Sequence, residues 1–105
     1  MAKEKLPQHF KKLQKDYPDF MQAAADLGKA VREAGPLDEK TVNLIQMAAA
    51  ATARLEGGVH SHARRALAAG ATVEEVRHAL IVLASTIGFP SVATAMSWVS
   101  DINET

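Results

Sequence analysis

The run "EGGVHSHARR", residues 56–65, gathers groups able to move protons and hold anions. His62 stands first among them, because an imidazole titrating near pH 6.5 can donate or accept a proton at cellular pH. Arg65 follows three residues later, on the same face of a helix, where its guanidinium can grip a carboxylate with two hydrogen bonds. His60 lies two residues before His62, about 200° around a helix and so on the opposite face. The two histidines can act together or share a metal only if Gly57-Gly58 leave them in an extended turn, and no metal site is expected. Glu56 reads either as a second acid/base group or as a helix-end charge. Arg54 flanks the glycines from the other side and adds a cation for a bound anion. His78 comes near only by tertiary packing. The chemistry these types suggest is proton transfer beside a cation able to hold an anionic group.

The chain contains no cysteine, which removes disulfides, thiolate metal sites and every sulfur nucleophile. Twelve Lys and Arg balance twelve Asp and Glu, so no net positive field collects phosphates and a nucleic-acid partner is not expected. The basic opening "MAKEKLPQHFKKLQK" reads as a solvated helix face; no apolar core follows that would make it a signal peptide. No segment reaches the roughly 18 unbroken apolar residues of a membrane span, so no membrane partner is expected and the cytoplasm is the expected location.

The elements that must position these groups read as helices, with no sustained period-2 run that would argue for a strand. A short helix over about Gln8 to Lys15 closes at "DYPDF". The next begins near Pro18, places Phe20, Ala23, Ala24, Leu27, Ala30 and Val31 on one stripe, and stops at Gly35-Pro36. A third opens on Asp38 as N-cap, with Glu39 at the positive end of the dipole. It is apolar on nearly every side from Val42 to Ala53, and Gly57-Gly58 are expected to break or bend it. A fourth runs from about Val59 to Ala69 and ends at Gly70. Thr72 and Glu75 form a capping box for the fifth, whose core stripe is Val76, Ala79, Leu80, Leu83 and Ile87. "GFP" at 88–90 precedes a last helix carrying Val92, Ala95, Met96 and Val99. Trp98, Phe89 and Met96 line an apolar pocket or belong to plain core. At 105 residues the chain is expected to be one domain, residues 1–105. Of its 48% apolar residues many are alanine, which bury little area each, and a domain of that kind covers its remaining apolar surface by self-association.

The order within "GPLDEKTVNLIQMAAAATARLEGGVHSHARRALAAGATVEEVRHALIVLASTIGFP" resembles the carboxymuconolactone decarboxylase family, which includes the AhpD-type alkylhydroperoxidases. An apolar helix, a short motif, a histidine, "RRALAAGAT", "EE", a second apolar helix and then Gly with Pro follow one another as they do there. The resemblance covers roughly residues 35 to 99. It implies an all-α, AhpD-like bundle of about six helices, assembled as a homotrimer or homohexamer with the site near a subunit interface. Setting the family histidine at His62 places the peroxidase branch's two cysteines at Leu55 and Gly58, its glutamate at Asn43 and its second histidine at Gly57. A thiol peroxidase needs an attacking thiolate and a resolving thiol, so that mechanism does not carry over.

The decarboxylase branch lacks the cysteine pair and keeps the histidine. Its reaction is loss of CO₂ from a lactone bearing a carboxylate, with a proton delivered to carbon. On that resemblance the protein, if active, is expected to be a lyase acting on a small carboxylated lactone or related organic acid, with no cofactor because the lactone's own unsaturated system accepts the electrons. His62 and Glu56 are the expected catalytic residues; Arg65, Arg54, His60 and Asn43 are the expected substrate contacts. The alternatives are a non-catalytic binding or structural member of the family, and a relative of the peroxidases that has lost its catalytic cysteines.

Overall fold

The computed structural model describes residues 8–102; the first half of the basic opening stretch lies outside them. Among the described residues there are seven helical segments and no strand. They fall into two compact units, one ending at Pro36 and one beginning at Leu37. The expected all-α architecture is therefore the observed one.

The first unit holds α1 (Gln8–Asp16) and α2 (Pro18–Arg32). Proline at the first helical position of α2 costs nothing, since its missing N–H would have no intrahelical acceptor there. The helix stops at Arg32, short of Gly35-Pro36, with the N–H of Glu33 closing on the carbonyl of Lys29. No residue of either helix is buried. The stripe expected to be apolar is accordingly bare, with Phe20 63%, Leu27 65% and Val31 52% exposed.

The second unit holds α3 (Glu39–Thr52), α4 (Glu56–Ala68), α5 (Val73–Ile81), α6 (Ala84–Ile87) and α7 (Phe89–Trp98). Asp38 caps α3 by accepting the N–H of Thr41 at 2.8 Å, and hydrogen bonding from the Thr41 side chain and then from its backbone holds the carboxyl below the usual range. Met47, Val59, Ala63, Ala66, Val76, Leu80, Ala95 and Val99 form a core drawn from α3, α4, α5 and α7. Only one face of α3 is covered: Asn43, Met47, Ala50 and Ala51 are buried, while Ile45 is half exposed.

The break after α3 falls earlier than the glycines. The helix ends at Thr52, and the N–H groups of Arg54 and Leu55 turn back to the carbonyls of Ala51 and Ala50, at 3.2 and 2.8 Å. This is a Schellman closure, and its left-handed position is occupied by Arg54 at φ 60° instead of by glycine. A side chain in that region costs on the order of 1 kcal/mol. Gly57 and Gly58 instead sit in the first turn of α4. Gly58 is needed there for proximity: a Cβ added to it would stand 3.0 Å from the Cβ of Ala50. A Cβ on Gly57 would meet nothing within 4 Å. Gly58→Val is therefore expected to push α3 and α4 apart and cost about 1–3 kcal/mol, read as a lower urea midpoint. Gly57→Ala should be neutral or slightly stabilising. Equal effects at the two positions would overturn this assignment.

The end of α4 follows expectation, with Gly70 at φ 105° and a second Schellman closure from Ala71 to Ala66 at 2.9 Å. Thr72 and Glu75 form the expected capping box on α5. Glu75 also takes the ammonium of Lys40 at 3.2 Å, tying the start of α5 to α3. The backbone bond from Thr72 and then that lysine lower the pKa of the Glu75 carboxyl. The fifth helix is divided where the expected one ran on to Ile87. Leu83 donates to Leu80, three residues back, so the chain tightens after the β-branched pair Ile81-Val82 and resumes as α6.

Candidate functional site

The seam between α3 and α4 holds the functional side chains, and small residues make it. Ala50, Gly58 and Ala63 let the two backbones approach, so short side chains reach across. Asn43, one turn into α3, is 2% exposed. Its Nδ2 donates to the carbonyl of Glu39 at 3.0 Å. Its Oδ1 lies 2.9 Å from Nδ1 of His62 on α4. Both ends of the amide are thus engaged by the protein, and the geometry makes Asn43 a hydrogen-bond partner of His62.

His62 is half-buried. Desolvation, and then the positive charge of Arg65 one turn further along, push its pKa below 6.5. Both causes disfavour the imidazolium, the first because charge is costly away from water and the second by repulsion. The sign for stability follows. An unfolded chain binds the proton more readily than the folded one, so this group's contribution is fully present above pH 6.5 and is lost as pH falls through the lowered folded value. The capping carboxylates Asp38 and Glu75 act in the same direction but start from 3.8 and 4.5, in a more acidic window. The urea midpoint of the wild type should therefore drop between about pH 7.5 and about pH 5.5, and His62→Gln should flatten that drop. An equal drop in the variant would remove the assignment.

Arg65 is exposed on the last turn of α4, three residues from His62 as its spacing predicts. His60 turns away from His62 toward Glu56, one turn before it, at 3.4 Å. Glu56 is thereby placed with His60 and not with His62. Arg54 reaches across to α7, donating from Nη2 to Oγ of Ser91 at 3.2 Å. Ser91 carries no sequence signal: a single serine after "GFP" is unremarkable until α7 is folded against the corner. His78 is exposed on α5. Among the described residues no three His, Asp or Glu side chains converge as a metal-binding group, and no helix is long and apolar enough to cross a membrane. Phe89 is exposed, while Met96 and Trp98 pack against the core as half-buried residues.

An all-α chain with a half-buried histidine held by a neighbouring helix is thus the class of protein that fold and site define. The sequence model of the carboxymuconolactone decarboxylase family matches residues 18–101, across both units, and the chain belongs to that family. It is 30% identical over 90 residues to an uncharacterised protein of Methanocaldococcus jannaschii, covering 86% of this chain and 84% of that one. It is 45% identical over 57 residues to an uncharacterised protein of Haemophilus influenzae, covering 54% of this chain and 50% of that one. The chain therefore spans about half the length of the second relative.

Proposed function

We propose that the protein acts on a small carboxylated lactone or a related organic acid by proton transfer at His62. The observation that carries this reading is the bond from a buried amide on α3 to the His62 ring, 2.9 Å long. A surface histidine has no need of such a partner; a histidine that must present one nitrogen in one direction does. Arg65 is proposed to hold the substrate carboxylate, its charge lying on the same face as the ring. Arg54, at the α3–α4 corner, is proposed to meet the remainder of the substrate, while Glu56 and His60 pair with each other on the side away from the ring. Self-association is proposed as well, since an alanine-rich chain of this length buries little area in each helix. The molar mass from light scattering tests that part.

The test of function is direct. Purified protein is mixed with carboxylated γ-lactones and with their open-chain acids, and substrate loss and CO₂ release are followed by NMR and gas analysis. Consumption above the buffer background is the expected result; none across the panel removes the reading. A second reading, a binding or structural member of the family without chemistry, is favoured by the uncharged Asn43 where the peroxidase branch has an acid. The same measurement decides between them, because a purely binding protein leaves the lactone intact.

A further inference from the structure

We propose that Asn43 is a positioning residue that fixes the hydrogens of His62, leaving Nε2 with a bare lone pair, so that the resting site begins its reaction by taking a proton from carbon. The chemical part rests on the proton-transfer reading above; the positioning part does not.

The argument starts at the carbonyl of Glu39, which has lone pairs and no hydrogen. The Asn43 atom facing it at 3.0 Å must therefore be the amide nitrogen. The other end of the amide, the oxygen, then faces His62 Nδ1 at 2.9 Å. Two acceptors at that distance repel, so Nδ1 carries the hydrogen and donates it. A neutral imidazole has one N–H, and it is spent here. Nε2 is consequently an acceptor.

The surroundings do not favour a second proton on the ring. Partial burial disfavours it, and Arg65, on the same helix, repels it. The group facing it from α3 is the uncharged Asn43. On α5, Glu74 is paired with Arg77 and Glu75 with Lys40, while His78 is exposed. The α7 segment contains no titratable side chain. A carboxylate at position 43 would instead pair with Nδ1–H and favour the imidazolium, and the site would begin as an acid.

A base at rest selects its substrate class: a lactone or related acid with a C–H bond next to its carbonyl. That C–H bond breaks, the Nε2–H bond forms, and the electron pair passes to the carbonyl oxygen. The same Nε2–H then returns its proton to a different carbon of the delocalised anion, so the net change of this sequence is a shift of a double bond, seen by NMR as loss of the starting lactone, with no CO₂ released. No oxidant or reductant enters.

The experiment is histidine-selective ¹⁵N NMR on the intact protein, which distinguishes protonated from bare ring nitrogens. In the wild type, His62 should show a protonated Nδ1 and a bare Nε2 at neutral pH. Asn43→Leu, similar in volume, should release the ring toward the Nε2–H form that free imidazole prefers. Asn43→Asp should keep the Nδ1–H form and raise the titration of His62 by about one unit or more. A wild-type ring protonated on Nε2, or an unchanged tautomer in Asn43→Leu, overturns the proposal, and the wild-type spectrum alone suffices if a variant does not fold. Where lactones are turned over, the rate should fall on the acid side of the His62 titration; a rate that rises there overturns the base assignment while leaving the lactone reading intact. An Nδ1–H ring in a protein that turns over none of the panel does the reverse.

Discussion

Replacing His62 by alanine is expected to lower turnover of a carboxylated lactone by about 10²–10⁴-fold, the usual contribution of a positioned acid/base group. The loss should fall on kcat. Substrate binding is assigned to Arg65 and the α3–α4 corner, and those groups are untouched by the change. The fold should survive, because His62 is only half-buried and its partner Asn43 keeps its bond to Glu39. Far-ultraviolet circular dichroism checks this. His78→Ala is the matched control, being an exposed histidine on α5, and it should leave the rate within a factor of about two, since it touches none of the reacting atoms. Full activity in His62→Ala would take away the imidazole's role, and with it the reaction proposed here.

The largest effect on stability is expected at Met47. Its side chain has no exposed surface, and it is the largest fully buried side chain of the unit. Truncation of a buried methionine to alanine costs about 2–5 kcal/mol, depending on how far neighbours can move into the space. The core cluster it belongs to includes Ala50, Ala51, Ala63 and Ala66, whose side chains cannot swing into a void. Against a total stability of roughly 5–15 kcal/mol, such a loss is visible as a large shift of the urea midpoint. Ile45→Ala, on the exposed side of the same helix, should cost no more than about 1 kcal/mol. Equal losses at the two positions would show that the packing described here does not carry the fold.

How much was legible in the sequence varied with the range of the interaction. Asp38, the Thr72–Glu75 box and Gly70 were recognisable because a cap is chemistry between residues three or four apart. The end of α3 was not. Two adjacent glycines are the strongest local sign of a break, yet the helix closes three residues earlier, on Arg54. The backbone bonds from Arg54 and Leu55 to Ala51 and Ala50 decide it, and they accept a left-handed arginine. The division of the fifth helix after Val82 was likewise invisible, since Leu83 and Ile87 keep helical spacing on both sides of it. His62 and Asn43 were each singled out, but their contact spans 19 positions and depends on the register of α4 on α3. Only packing sets that register. Glu56 and His60 illustrate the converse: their i,i+4 pairing is local, and it draws both away from His62.

The near-contact of Gly58 with Ala50 has a bearing one turn further on, at His62. The distance between two helix axes is fixed where their smallest residues touch, and every bridge elsewhere along the seam must fit that clearance. Here the clearance suits an asparagine, whose amide stands one methylene shorter than the carboxyl of a glutamate. The vacant side chain at position 58 thus acts as the gauge that decides which residue can steady the imidazole. Widening the seam at that point would lengthen the bridge between Asn43 and His62 without altering either of them.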